Sequence, residues 1–217
     1  AEVEYCFKRF LGPQDKAKHC YTDNAKELKA ALRKLGIPHD KSRSYRPATN
    51  GVAERAVRKI KEGTSAVLHQ SMLDEKWWGW AMSYYCFLHC VSDVLKCGNT
   101  PYKKRFGEDF RGKLIPFGAH VKYFPSTPGD KSLRPPFGSK VLDGIFLSYK
   151  QNAGGGWEDH TMYVLDCDEI ANAESVSQIY ARDIHEREII VEKVDDKFVF
   201  PVANGDVRQP GVSPTSR

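Results

Sequence analysis

An α/β first half followed by a small, mostly β second half is the architecture this sequence predicts. Three observations carry it. Residues 20–40 read strand, helix, strand within a span short enough for a parallel crossover. Two strongly helical segments come next, one from Val52 to Met72 and one starting near Asp74. From Leu114 onward the hydrophobic period switches from helical to two, with Gly- and Pro-rich breaks between short runs.

In chain order, Val3, Phe7, Phe10 and Leu11 recur at helical spacing, and Gly12-Pro13 stops that helix. Cys20-Tyr21-Thr22 is a short strand ending at Asp23. In AKELKAALRKLG, Leu28, Ala31, Leu32 and Leu35 fall at i, i+3, i+4 and i+7, and Gly36 is the expected C-terminal cap. Ile37 to Asp40 is read as a second strand. SRSYRPATNG (42–51) is a loop by composition. The long helix after it carries an apolar stripe of Ala53, Ala56, Val57, Ile60, Val67 and Leu68. The next helix, with Asp74 as its N-cap, holds Trp77, Trp78, Trp80, Tyr84, Tyr85 and Phe87. Aromatics around most of its circumference predict burial on several sides. Asn99-Thr100-Pro101 is read as the end of the helical part.

The expected strands are 120–124, 141–149, 161–165, 175–180, 188–194 and 197–202, a pattern suited to a small barrel or sandwich. The divisions expected are 1–107, a small β domain at 108–200, and a disordered polar tail at 201–217.

The chain has 217 residues, 33 Lys and Arg, 28 Asp and Glu, and a formal charge of +5. Its 41% hydrophobic content is that of a folded protein. No apolar run approaches the ~20 residues of a membrane span, and the first residues lack the apolar core of a secretory leader. The expectation is a protein without membrane association, in nucleus and cytoplasm. Six dispersed cysteines without a CxxC suit a reducing compartment. Cys86, His89, Cys90 and Cys97 cluster in sequence. They are read as small core residues of the aromatic helix, with a zinc protein as a weaker alternative. No cysteine has a convincing His and acid companion for nucleophilic catalysis.

Two acids stand out by position. Asp23 lies where a strand ends and a helix begins, the place where open α/β sheets bind ligands; taken alone, the residue is more ordinarily read as a cap for that helix. Glu54 sits in the first turn of the long helix, where the helix dipole also favours an acid. With Arg58 and Lys61 it forms an i, i+4, i+7 stripe, read either as a carboxylate on a phosphate-binding face or as a solvated face with an ordinary ion pair. Residues 23–62 hold 11 bases and 5 acids, a net +6 against +5 for the whole chain, so the excess is local. Such a patch is the footprint of a nucleic-acid face, and basic surfaces also serve solubility.

YTDNAKEL, GIPHDKSRSYRPATNGVAER and WWGWAMSYYCF together resemble the integrase core of copia-type LTR retrotransposon polyproteins. NTPYKKRFGEDF, PFGAHVKYFP, GIFLSY and IYARDIHE resemble the region downstream of that core, so the likeness runs to about residue 190. Its most specific element is Asn50 to Arg55 in unbroken order. The resemblance implies a ribonuclease-H-like core over 1–107, lacking its first strands, and polynucleotidyl transfer during DNA integration. It implies a site of two Asp and one Glu holding Mg²⁺ or Mn²⁺. Asp23 matches the second aspartate and Glu54 the glutamate, both as catalytic residues and metal ligands. Asn50 shapes the loop before the catalytic helix, and Arg55, Arg58, Lys59 and Lys61 are the expected DNA contacts. DNA is the expected partner, with homo-oligomerisation possible.

The sequence also departs from the family pattern. The first aspartate has no counterpart upstream, since Asp15 lies in a Gly-Pro-Gln-Asp loop. Asp23 and Glu54 are 31 positions apart, closer than usual; Ala25 replaces the common Gly, and Ser148 another. The expectation is an N-terminally truncated integrase that binds DNA with impaired catalysis and a marginal first half. The alternative is a non-catalytic DNA- or protein-binding module derived from a transposon.

Overall fold

The computed structural model describes residues 2–11, 16–23, 25–42, 51–132 and 137–210. The chain is mixed α/β, built around a five-stranded antiparallel sheet, and divides into two compact units. The first holds the described residues up to Lys59 with Gln151–Gly156; the second holds Ile60–Lys150 and the described residues from Trp157.

In the first unit, helix α1 (Glu2–Leu11) is followed by β1 (Cys20–Thr22), α2 (Lys26–Lys34) and β2 (His39–Lys41). β1 and β2 pair in parallel, Cys20 opposite His39 and Thr22 opposite Lys41, so the expected crossover is present. α2 buries Ala31 and Leu32, two of the residues in its predicted stripe. Its end is set by Gly36 at φ +67, a left-handed position where glycine has no Cβ to clash. Helix α3 (Gly51–Ser71) starts in this unit, and the division falls within it.

The apolar stripe predicted for α3 is only half used. Val57 is 52% exposed, Ala53 and Ala56 are also exposed, and burial begins at Gly63 and Thr64. Thr64 shows the cost of polarity there, turning its hydroxyl back to the Ile60 carbonyl at 2.7 Å.

The second unit continues with α4 (Trp78–Ser92), entered through a 3₁₀ turn that Asp74 caps by accepting from Lys76 N–H. Then come α5 (Pro101–Phe106), β3 (His120–Tyr123), α6 (Pro128–Ser132), β4 (Leu142–Gln151), β5 (Trp157–Asp166), α7 (Cys167–Asn172), β6 (Arg182–His185), β7 (Ile189–Val191), β8 (Lys193–Val194), β9 (Lys197–Phe198) and α8 (Pro201–Asn204). The sheet order is β6-β5-β4-β3-β7, with β8 and β9 a separate hairpin turned by Asp195 and Asp196, both at positive φ.

The aromatic helix is buried along one broad face rather than on several sides, and Trp78 remains 57% exposed. Ala81, Tyr84 and Phe87 are buried, and Phe87 stacks on Tyr149 of β4 with ring centroids 4.7 Å apart. Trp80 meets Tyr163 of β5 edge-on. The Tyr149 hydroxyl donates to the Lys113 carbonyl and accepts from Ile115 N–H, so its burial leaves no polar atom unpaired.

Four local expectations need correction. Instead of a barrel or sandwich, the described strands of the second unit form a five-stranded sheet whose ends are β6 and β7, with β8-β9 as a separate hairpin. Thr100-Pro101 starts a helix rather than ending one: the Thr100 hydroxyl accepts from Lys103 N–H and Pro101 takes the first helical position, where its missing N–H costs nothing. Residues 176–178 are 3₁₀, because Ser175 and Gln178 form a reciprocal capping box. The stretch expected as tail from residue 201 is placed as far as residue 210. Pro201 opens α8, and the Gln209 amide accepts from Asp74 N–H (2.8 Å) and donates to the Met72 carbonyl (2.7 Å). Residues 211–217 lie outside the described residues.

Candidate functional site

The first unit concentrates charge. Residues 1–59 and 151–156 carry 14 Lys and Arg against 7 Asp and Glu, a net +7, which leaves −2 for the rest of a +5 chain. A field of one sign over a small unit attracts polyanions and accelerates their encounter.

Asp23 is the first residue past the carboxyl end of β1 and is exposed. Its Oδ1 accepts from Ala25 N–H at 3.1 Å. Ala25, not Asp23, is the N-cap residue of α2, and it makes no side-chain cap bond. The Asp23 carboxylate therefore stabilises the turn leading into α2 rather than the helix end itself. The next link is the backbone. Thr22 Oγ1–H donates to the Asp23 carbonyl oxygen at 2.9 Å, and His39 Nε2 lies 2.7 Å from the same Thr22 oxygen.

Glu54 and the bases Arg55, Arg58 and Lys59 occupy the first turns of α3, all exposed; Lys61, also exposed, lies just past the division on the same helix. These turns contain no buried residue. Asn50, with the loop 43–50, lies outside the described residues. Asp23 and Glu54 belong to the same unit, and neither is sealed under apolar side chains. As oxygen donors they are of the kind Mg²⁺ selects. Among the described residues no group of three or more His, Cys, Asp or Glu side chains is gathered to hold a metal ion. Each carboxylate is thus a donor of the right kind for a hydrated Mg²⁺, and described residues do not assemble a fuller clamp.

The cysteine cluster has other engagements. His89 Nδ1 bonds Asp93 Oδ2 at 2.6 Å, and the His89 ring meets Tyr85 edge-on. The cysteines are not the core residues expected: Cys86 is half-buried and Cys90 and Cys97 are exposed. Burial pushes the Cys86 thiol up, which disfavours the thiolate a metal or nucleophilic role needs. Cys167 is pushed up to about 12 by burial, with neighbouring acids, Asp166 foremost, adding to it.

A second polar cluster, in the other unit, had no signal in the sequence. Arg182 of β6 donates through Nε to Asp130 Oδ1 (2.8 Å) and through Nη1 to Glu169 Oε2. Asp130 also accepts from the Thr127 hydroxyl, and Tyr123 donates to Asp166 (2.7 Å). Asp166 in turn caps α7. These groups hold α6, α7 and β6 together.

Fold and site define a mixed α/β protein whose basic unit presents Asp23 and Glu54, both exposed, within a cationic excess. No family model matches the chain. Among solved structures it is similar to a chain of the simian T-cell lymphotropic virus intasome in complex with PP2A regulatory subunit B56 gamma, at 18% identity. That alignment covers 79% of this chain with a TM-score of 0.33, too low to support any step below. The chain spans 56% of the length of that intasome chain. No described helix is long and apolar enough to cross a membrane.

Proposed function

We propose that this chain is an integrase-like DNA-binding protein derived from a copia-type retrotransposon, its first unit being part of a ribonuclease-H-like core. The observation that supports this best is the exposed start of α3. It sets Glu54 among Arg55, Arg58 and Lys59 within the +7 unit that also carries Asp23 at a strand's carboxyl end. The residue-by-residue likeness of the TDN and NGVAER blocks to the integrase family supports the same reading.

In this reading Arg55, Arg58, Lys59 and Lys61 neutralise phosphates along one strand, while Asn50 shapes the loop before α3. Asp23 and Glu54 hold a divalent cation, Mg²⁺ or Mn²⁺. Such an ion, when bound, supplies Lewis-acid stabilisation at a phosphorus centre. The Ala25 N–H engages one Asp23 oxygen and so orients the carboxylate. The basic stripe draws the DNA backbone to the carboxylates, which would otherwise repel it. Assembly into homo-oligomers, residence in nucleus and cytoplasm, and a core extending to residue 107 belong to the same proposal.

The test is a duplex-DNA anisotropy titration across salt. Each phosphate neutralised contributes about −0.9 to the slope of log affinity against log salt, so four contacts predict a ~150-fold loss between 50 and 200 mM. Replacing Arg55, Arg58, Lys59 and Lys61 by Gln should reduce the slope by up to about 3.6. A slope unchanged by the quadruple replacement refutes the interface. A Mn²⁺-dependent nicking assay on the same protein separates the two forms of the proposal. Cleavage abolished by Glu54→Gln marks a transferase; DNA binding without cleavage marks a non-catalytic module.

A further inference from the structure

We infer that His39 and Thr22 are positioning residues for Asp23, acting through a two-step hydrogen-bond relay from β2 to the Asp23 peptide. The inference rests on the reading that Asp23 holds a divalent cation, and deepens it.

Donor arithmetic fixes the direction of the relay. A threonine hydroxyl has one hydrogen. Thr22 donates that hydrogen to the Asp23 carbonyl, which is only an acceptor (2.9 Å). The 2.7 Å contact between Thr22 Oγ1 and His39 Nε2 must therefore be donated by histidine. His39 thus carries its proton on Nε2, and the chain runs His39 Nε2–H to Thr22 Oγ1–H to Asp23 C=O.

Strand register makes this contact possible. Cys20 lies opposite His39 and Thr22 opposite Lys41, so Thr22 and His39 are diagonal neighbours on one face of the parallel pair. Both are half-buried, whereas Asp23 is exposed. The relay reaches from the half-buried strand pair to the exposed aspartate just beyond it. Asp23 is then held at two points: its carbonyl by Thr22 and its Oδ1 by Ala25 N–H. An exposed aspartate one residue past a strand would otherwise sample several backbone and rotamer states. A cation bound through it would bear that ordering cost.

A purely structural strand contact and a positioning relay differ in what conservative replacement rescues. His39→Gln keeps an N–H donor at the reach of Nε2; His39→Leu removes it. Thr22→Ser keeps the hydroxyl; Thr22→Val removes it at constant shape. The readout is Mn²⁺ binding to the full chain, measured from the free-ion paramagnetic resonance signal, which needs no turnover. Outer-shell partners of metal ligands typically control affinity by 10–100-fold. The expected result is a roughly 10-fold weaker Kd in His39→Leu and Thr22→Val, and wild-type binding within about twofold in His39→Gln and Thr22→Ser. Asp23→Asn is the control for the underlying reading. Equal Mn²⁺ binding by wild type and Asp23→Asn overturns the metal reading, and the relay's role falls with it. Binding lost in Asp23→Asn but retained in both His39→Leu and Thr22→Val overturns the relay alone. Should either apolar variant fail to fold, the ring-nitrogen spectrum of wild-type His39 decides: an Nε2–H tautomer supports the relay and an Nδ1–H tautomer refutes it.

Discussion

Replacing Arg182 by Met removes the cation on which two carboxylates depend. Arg182, Asp130 and Glu169 are only 14%, 12% and 20% exposed at their side chains. Burial lowers the guanidinium's affinity for its proton, but the bonds to Asp130 and Glu169 outweigh this and raise it. Asp130 shows the reciprocal balance: burial pushes its carboxyl up, while the bonds from Thr127 and Arg182 hold it below the usual carboxylate range. Met restores most of the volume and leaves the acids unpaired. Breaking a buried pair in this way costs about 3–5 kcal/mol, and the residual exposure here argues for about 3. For a unit of ~150 residues that lowers Tm by roughly 6–12 °C. The four tryptophans, Trp77, Trp78, Trp80 and Trp157, all belong to this unit, so their fluorescence tracks its unfolding alone. Adding Asp130→Asn and Glu169→Gln to Arg182→Met should recover at least half of the loss, since no buried charge then remains unpaired. The sign with pH comes from the depressed Asp130 value. Its contribution is present above the ordinary carboxylate range and disappears as pH falls through the lowered folded value. A loss below ~1 kcal/mol in Arg182→Met, or no recovery in the triple variant, would refute the assignment of this stability to ion pairing.

Three further outcomes are expected. Gly144→Ala puts a methyl 2.5 Å from Val164 Cγ1 and 2.9 Å from the Leu165 carbonyl oxygen, and should cost roughly 2–3 kcal/mol in urea unfolding; an unchanged midpoint would contradict the close packing of β4 and β5. Ser148 is buried with no hydrogen-bond partner for its hydroxyl among the described residues, so Ser148→Ala should stabilise the second unit by about 1 kcal/mol, seen as a higher Tm. Glu4, bonded first by Lys34 and then by Lys8, is held down to about 2, so its contribution persists until pH falls through that value; its side-chain resonance should titrate there and shift up towards the ordinary range in Lys34→Gln.

Much of this architecture was legible from periodicity, because α2 and α4 each bury one continuous face, whereas β4 reads as an apolar run because it is buried on both faces from Gly144 to Tyr149. What escaped depends on single side chains whose partners are distant or whose role has two signs. Pro101 reads as a stop until Thr100 is seen to cap the turn after it. Ser175 to Tyr180 alternates like a strand, yet the capping box of Ser175 and Gln178 makes it helical. Gln209 sits in a polar stretch, and only the fold brings it to Met72 and Asp74. The site divides in the same way. Asp23 and Glu54 stand out by residue type and by position at element ends. The relay behind Asp23 does not, because it exists only once Cys20 and His39 are in register.

The two units differ in how much apolar surface holds them, and this sets the last expectation. Of the 24 buried hydrophobic residues among those described, only Ala31 and Leu32 belong to the first unit. Its sheet is two strands of three residues each, too small to be stable by itself. Its +7 charge adds self-repulsion, which favours expansion. The amides of α2, β1 and β2 should therefore exchange with solvent through local opening, well before those of β4 and β5. A polyanion or cation that binds only the closed form must oppose that opening. At a ligand concentration 100 times its Kd the gain is about 2.7 kcal/mol, or roughly 100-fold slower exchange. Hydrogen exchange on the full chain, with and without duplex DNA at low salt, reads this residue by residue. Protection confined to α2, β1, β2 and the start of α3 would tie ligand binding to the weakly held unit. First-unit amides as slow as those of β4 before any DNA is added would show that the small core suffices, and would remove the basis for this coupling.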